Sequence, residues 1–288
     1  MVLALGRREF APTDRLVMAI VNRTPDSFYD QGATFAFETA LRRVDEVVAQ
    51  GADIVDIGGV KAAPGDEVDV AEELARTVPF VAAVRERHPE LLISVDTWRH
   101  EVGRGVCEVG ADILNDAWGG WDPKLAQVAA EFDVGLVCTH AGGVAPRTRP
   151  HRVRYPHGVM PDVLARTVGE AERAVAAGVD RHRVMIDPGH DFGKNTWHSL
   201  EVTRRLPEMV ATGWPVLVSL SNKDFVGETL DRGVGERLVG TLATTSLCAW
   251  FGAMVYRAHN VAETRQTLDM VAAIAGDRAP LRTKRGLA

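Results

Sequence analysis

The sequence predicts a (β/α)8 TIM barrel. Eight short apolar runs recur along its 288 residues, and segments with helical periodicity, such as "FETALRRVDEVVAQG" and "VAEELARTVPFVAAVRERH", lie between them. Strands alternating with helices in one chain of domain size make either a closed barrel or a doubly wound open sheet. Eight repeats of similar make-up, with no G-x-G-x-x-G turn after the first run, favour the barrel.

The elements follow in order. The first fifteen residues, "MVLALGRREFAPTDR", are too polar and short for a core element, and are expected to form a hairpin or cap over the barrel's bottom. The strands then read "LVMAIV" (16–21), "DIVDI" (53–57), "LLISV" (91–95), "DILN" (112–115), "GLVCT" (135–139), "RVMID" (183–187), "PVLVS" (215–219) and "AMVYRA" (253–258). Three helices stop at a glycine before Ala-Asp or Val-Asp ("AQGAD", "EVGAD", "AAGVD"), where glycine supplies the left-handed residue that ends a helix. The longest irregular piece, residues 140–162, follows the fifth strand and is expected to be a functional loop. No linker rich in Pro, Gly or Ser divides the chain, so residues 1–288 read as a single domain.

Composition excludes several classes of function. A net charge of −6 and a pI near 5.9 argue against nucleic acid or an anionic membrane as partner. No apolar run approaches the roughly 20 residues that span a bilayer, and the N-terminus lacks a signal-peptide pattern. Cys107, Cys138 and Cys248 lie far apart in apolar segments without metal-ligand spacing, as small buried hydrophobes of a reducing compartment do. A soluble cytoplasmic protein is expected.

Barrel sites are built at the C-terminal ends of strands, and here every strand ends in a polar group. In order these are Asn22, Asp56, Asp96, Asn115 with Asp116, His140, Asp187, Ser221 with Lys223, and Arg257 with His259. A strand-end Asp often only caps a turn, and Asp56, before Gly-Gly, fits that role. Eight such ends together signal a binding site. The carboxylates of Asp96 and Asp187 with the amide of Asn115 suit a ring bearing adjacent N–H donors and a carbonyl, as an aminopyrimidinone does. Arg257 suits an aromatic face or an anion, Lys223 a ring carbonyl or nitrogen, and Asn22, His259 and Arg257 together a phosphate.

The motif "MAIVNRTPDSFYDQG" resembles the opening signature of the dihydropteroate synthase family, usually N-V-T-P-D-S-F-S-D-G. Matches to "DIGG…PG", "ISVDTW", "ILNDAWGG", "DPGHDFGK", "SNK" and "RAHNV" follow in order, from residue 18 to about 261. The resemblance implies a (β/α)8 barrel, usually a homodimer, that joins p-aminobenzoate to a dihydropterin-CH2 group with loss of diphosphate, assisted by Mg2+. By position, Asp96, Asn115, Asp187, Lys223 and Arg257 match the family's pterin-binding residues. Asn22 and His259 match the diphosphate and magnesium side, Asn22 being the metal position; Asn22, Lys223, Arg257 and His259 make the catalytic set. Pro64, Phe192 and Ser221 match p-aminobenzoate contacts.

The pattern breaks at defined places. The family's D-I-G-G-E-S-T-R-P-G is "DIGGVKAAPG" here, with Ala62 and Ala63 at the Thr and Arg positions that meet diphosphate. Asn222 replaces an arginine in the usual S-R-K, Asn260 replaces Asp, and Arg23 replaces Val. His190 and Asp191 stand where an apolar residue and a glycine are usual, which is expected to bring negative charge near an anionic substrate. Three readings follow: a paralogue that keeps a pterin pocket with weak or absent synthase activity, a working synthase, or a pterin-dependent methyl-transfer barrel. The first is favoured, because the leaving-group contacts are the ones replaced; no cobalamin or zinc module accompanies the third.

Overall fold

The computed structural model describes residues 2–22, 33–60, 65, 67–148 and 153–285. Two short strands, β1 (Leu3–Leu5) and β2 (Arg8–Phe10), form an antiparallel hairpin. Eight parallel strands follow: β3 (Leu16–Asn22), β4 (Ile54–Gly58), β5 (Leu92–Asp96), β6 (Ile113–Asp116), β7 (Gly135–Thr139), β8 (Val184–Asp187), β9 (Leu217–Ser219) and β10 (Val255–Ala258). Their order is β8-β7-β6-β5-β4-β3-β10-β9, and a parallel bridge between Ile186 and Val216 closes the ring. Each of the eight apolar runs in the sequence is one of these strands, within two residues at either end.

The helices alternate with the strands: α1 (Ala33–Ala49), α2 (Val70–Arg87), α3 (His100–Glu108), α4 (Lys124–Glu131), α5 (Val159–Ala176), α6 (Thr196–Arg204), α7 (Leu206–Val210), α8 (Asp224–Leu230), α9 (Leu238–Trp250) and α10 (Val261–Ala275). Asp69 caps α2 by accepting from the Glu72 amide at 2.8 Å, with acids in its first turn and arginines in its last, as the helix dipole favours. Gly51, Gly110 and Gly178, at the three predicted stops, all have positive φ. The aspartate after two of these glycines has a further use. Asp53 accepts from the Val17 amide at 2.9 Å and Asp112 from Ile93 at 2.8 Å, so the acid that leaves one helix fixes a neighbouring strand.

The hairpin corrects one expectation. Leu3, Leu5 and Phe10 are buried in a core cluster with Met18, Ile54, Leu92, Ile113, Val137, Met185, Leu217 and Val255. Those eight are one residue from each barrel strand, so the N-terminal segment is a core element that plugs the bottom of the barrel. Alternation explains it: Leu3, Leu5 and Phe10 share one face of the hairpin and Ala4 and Glu9 the other, while Arg8, opposite Leu5, is exposed with its guanidinium over the Phe10 ring. A side chain at Gly135 would stand 2.8 Å from the Leu5 Cδ2, so glycine opens β7 for the plug. The expected irregular stretch 140–162 also ends earlier than read, because α5 begins at Val159 and takes Pro161 into its first turn, where no amide is needed.

Candidate functional site

Side chains alternate along a strand, so the residue two positions past each apolar plug residue also faces the barrel axis. Those residues are Ile20, Asp56, Ser94, Asn115, Thr139, Asp187, Ser219 and Arg257. The interior thus changes from hydrocarbon to polar within one layer, toward the strands' C-terminal ends.

Asp56 organises that layer. It is fully buried, and its carboxylate accepts from Arg257 Nε at 2.6 Å, Ser94 Oγ at 2.6 Å and Asn115 Nδ2 at 3.2 Å. Its reading as a turn cap is therefore replaced by that of a hub. The signal for this role was its place in the inward register of β4, beside Ser94 of β5. Arg257 Nη2 also donates to Asp96 at 3.2 Å. Because the Asn115 nitrogen is committed to Asp56, its Oδ1 remains as an acceptor for a ligand.

Asp96 and Asp187 supply two further acceptors. Burial pushes Asp96 up to about 7 against the pull of Arg257, with Asp56 adding to the rise. Burial also raises Asp187 to about 6, while the Gly189 amide at 2.7 Å, Lys223, Lys194 and Arg257 oppose it. Lys223 lies 4.6 Å from the Phe192 ring centroid, and burial lowers its affinity for a proton while Asp191 restores part of it. Ser221 Oγ is 3.1 Å from His259 Nδ1 and 3.2 Å from the His259 amide; His259 remains exposed, and partial desolvation together with the nearby Arg257 and Lys223 charges lowers its pKa. The five predicted pterin residues and the pair Ser221–His259 thus lie at one end of the barrel. Asn22 ends β3, with its side chain outside the described residues, as are Arg23, Lys61, Ala62, Ala63 and Pro64 in full.

An aromatic wall borders this mouth. The Trp118 ring meets Trp98 edge-on at 6.3 Å between centroids and Phe192 at 5.2 Å. Asp116 shapes the loop that carries Trp118, accepting from the Trp118 and Gly120 amides at 2.8 and 2.7 Å. Among the described residues, the grouping of metal-binding type is His100, Glu101 and Asp122, and it does not include Asn22, the predicted metal position. There His100 Nδ1 already meets Asp122 at 2.7 Å.

Two clusters escaped sequence reading. Lys194 Nζ donates to His140 Nδ1 at 2.6 Å and to the carbonyls of Gly189 at 2.9 Å and Phe192 at 3.0 Å, while His140 Nε2 donates to Asp162 at 2.8 Å. A lysine in a loop reads as solvated, and only the fold brings these acceptors around it. Glu73, buried on α2, accepts from Arg99 at 2.6 Å; Arg99 also holds the Val68 carbonyl at 2.7 Å, tying the second loop's end to the third.

The two substitutions in the β8–α6 loop play different parts. His190 is fully buried, stacked on Phe225 at 5.4 Å, with Nε2 3.0 Å from Thr203 Oγ1. Burial drops its pKa to about 3, so it is a neutral core ring at physiological pH. The Asp191 carboxylate accepts from the Asp224 amide at 2.6 Å and the Ser199 hydroxyl at 3.2 Å, and its negative charge also acts on Lys223.

A barrel mouth with buried carboxylates, an amide oxygen, a lysine and a clamped arginine offers acceptors and donors toward one space. The family described as pterin binding enzyme matches residues 18–259. The chain is 58% identical over 284 residues, 98% of each protein, to a Mycobacterium leprae protein named inactive dihydropteroate synthase 2. It is 38% identical over 261 residues to the dihydropteroate synthase of Bacillus subtilis, covering 90% of this chain and 88% of that one. The Xanthomonas albilineans dihydropteroate synthase, solved in complex with 7,8-dihydropteroate, superposes with a TM-score of 0.84 at 33% identity, covering 96% of this chain and 99% of that one. The chain belongs to the pterin-binding enzyme family, among the dihydropteroate synthases and their paralogues.

Proposed function

We propose that this protein binds a pterin in the barrel mouth and turns over pterin diphosphate with p-aminobenzoate slowly or not at all. The observation that carries the reading is a split within one site. The pterin-side groups Asp96, Asn115, Asp187, Lys223 and Arg257 are present and gathered, while Ala62 and Ala63 replace the Thr and Arg of the diphosphate loop. Asp96, Asp187 and Asn115 Oδ1 accept the ring's N–H donors, Lys223 donates to a ring carbonyl or nitrogen, and Arg257 covers the ring face.

Departure of diphosphate from the pterin methylene leaves a cation, so rate depends on stabilising the leaving anion and holding the amine in line. Ring-edge carboxylates favour the cation, but without the loop arginine and threonine the leaving group is poorly held. The loss of such contacts is worth about 2–4 kcal/mol of transition-state stabilisation, a hundredfold or more in rate. The inactive label of the M. leprae relative accords with this reading. The amide oxygen of Asn22 is a donor that Mg2+ accepts beside substrate phosphate and water, and magnesium there would neutralise diphosphate charge. By their positions in the family motifs, Phe192, Ser221 and Pro64 are assigned to the acceptor side.

The protein works as a homodimer in a reducing cytoplasm. Helix α9, "LVGTLATTSLCAW", carries no charge, and Val239, Leu247 and Trp250 on it and Met270 and Ile274 on the adjoining α10 are exposed. These exposed apolar side chains on two neighbouring helices are the surface to which we assign the subunit contact. The three buried free cysteines suit a reducing compartment. A calorimetric titration of the purified protein with free pterin, pterin diphosphate and p-aminobenzoate tests the central reading. Pterin binding with little gain from the diphosphate is expected. No pterin binding overturns the pocket, and rapid product formation establishes a working synthase.

A further inference from the structure

Asp191 occupies a backbone conformation that a residue with a side chain rarely adopts. Its φ is +66°, in the left-handed region, and the family usually has glycine at this position. A strained residue retained next to a site invites a search for what the side chain does there. Its carboxylate spans two loops. One oxygen accepts from the Asp224 amide at 2.6 Å and the Phe225 amide at 3.4 Å, and the other from Ser199 Oγ at 3.2 Å. The Ser199 hydroxyl also stands 3.2 Å from the Asp191 amide.

The partners lie beside the pocket. Asp224 and Phe225 open α8, whose N-cap residue is Lys223, and Lys223 gives that helix no side-chain cap. Asp191 therefore supplies the cap from another loop. Phe192 follows Asp191 directly, and Lys223 precedes Asp224 directly; these two flanking residues meet, Lys223 Nζ 4.6 Å from the Phe192 ring centroid. The other sides of both loops are held too. Arg237 donates to the Asn222 carbonyl at 2.8 Å and to Asp224 at 2.9 Å, and Lys194 holds the Phe192 carbonyl at 3.0 Å. With both loops braced from outside, Asp191 adds a hydrogen-bonded tie between them, beside the stack of His190 on Phe225.

We propose that Asp191 is a positioning residue, a latch that joins the β8–α6 loop to the first turn of α8 and so sets Lys223 against Phe192 across the pterin pocket. The proposal rests on the pterin reading above. It explains how a chain with aspartate in place of glycine keeps the pocket lysine in place: the side chain that strains the loop also ties it down. Asparagine at this position would keep an acceptor oxygen and tolerate the left-handed backbone, whereas glycine would release both strain and tie.

The test compares Asp191→Gly and Asp191→Asn with the full-length unmodified protein, by amide hydrogen exchange without ligand and by titration with free pterin. For Asp191→Gly, exchange at the Asp224 and Phe225 amides is expected to quicken about tenfold and pterin affinity to fall about tenfold, with melting temperature little changed because strain is relieved. Asp191→Asn is expected to restore most of both. A merely structural role would lower the melting temperature and leave pterin affinity alone, which overturns the proposal, as does unchanged exchange. Should the unmodified protein bind no pterin, the pocket reading fails by itself, and the exchange comparison alone upholds or overturns the latch.

Discussion

Arg257 Nε donates to the fully buried Asp56 carboxylate at 2.6 Å, binding the last barrel strand to the second across the barrel interior. The same guanidinium reaches Asp96 at 3.2 Å, so one cation serves two acids and is fixed in orientation before a ligand arrives. Burial alone would drive Arg257 toward losing its proton, but Asp56 and Asp96 outweigh it and hold the guanidinium above its usual range. A planar cation held in place is what a flat heterocycle needs beneath it, because no side-chain ordering then remains at binding.

This arrangement makes Asp56 a stability residue as well as a site residue. Asp56→Ala leaves Arg257 with one partner and strands the Ser94 hydroxyl and the Asn115 amide, so stability should drop by about 3–5 kcal/mol. Urea unfolding monitored by circular dichroism measures it. A loss below about 1 kcal/mol would show that solvent or rearrangement satisfies the hub.

A second prediction concerns pH. Burial raises Asp96 from an ordinary value of 3.8 to about 7, so the folded protein holds this proton more tightly than the unfolded chain does. Stability from Asp96 is therefore present in full below about 4 and lost as pH rises toward 7. Asp96→Asn abolishes the effect, so the variant's stability relative to the unmodified protein should improve across that window, by at most about 4 kcal/mol. A difference independent of pH would mean that Asp96 is ionised throughout. Pterin N–H donors favour the ionised form, so pterin affinity should rise with pH until about 7.

A third prediction addresses assembly. Leu247 and Trp250 stand 52% and 59% exposed on the uncharged helix α9. If this face pairs two copies, Leu247→Glu buries a charge at the contact and should convert a dimer to a monomer with its fold intact. Sedimentation velocity at micromolar concentration reads this directly. An unmodified protein that sediments as a monomer removes the homodimer.

The barrel itself was legible because its signal is local and repeated. Each parallel strand is buried on both faces and reads as an apolar run, and helix stops at Gly51, Gly110 and Gly178 follow from backbone sterics. Strand-end polar residues could be assigned to one mouth by the same logic, and Asp96, Asn115, Asp187, Lys223 and Arg257 are there. What escaped reading depends on contacts distant in sequence. Lys194 and His140 lie 54 residues apart, and Glu73 and Arg99 26, with no periodicity to announce either pair. The hairpin was misjudged because its charges dominate its composition, while alternation alone decides that Leu3, Leu5 and Phe10 point inward.

The last prediction returns to the diphosphate loop. Restoring the family pattern with Lys61→Ser, Ala62→Thr, Ala63→Arg and Asn222→Arg should return charge-assisted contacts to the leaving group and the acceptor carboxylate. Those contacts are worth about a hundredfold in rate. The gain comes with a penalty at one position. Asn222 has φ +57°, which asparagine tolerates better than arginine, so Asn222→Arg should lower stability by about 1 kcal/mol. The three loop changes without Asn222→Arg separate the two effects. Asp191 is left untouched in both variants, so its negative charge beside Lys223 still opposes an incoming acid and the gain falls short of an ordinary synthase. Steady-state release of diphosphate, from pterin diphosphate with p-aminobenzoate, is the measurement. Turnover by the unmodified protein at the level of an ordinary synthase would sink the inactive reading, whereas a rise only in the restored variants would locate the deficit in the leaving-group loop.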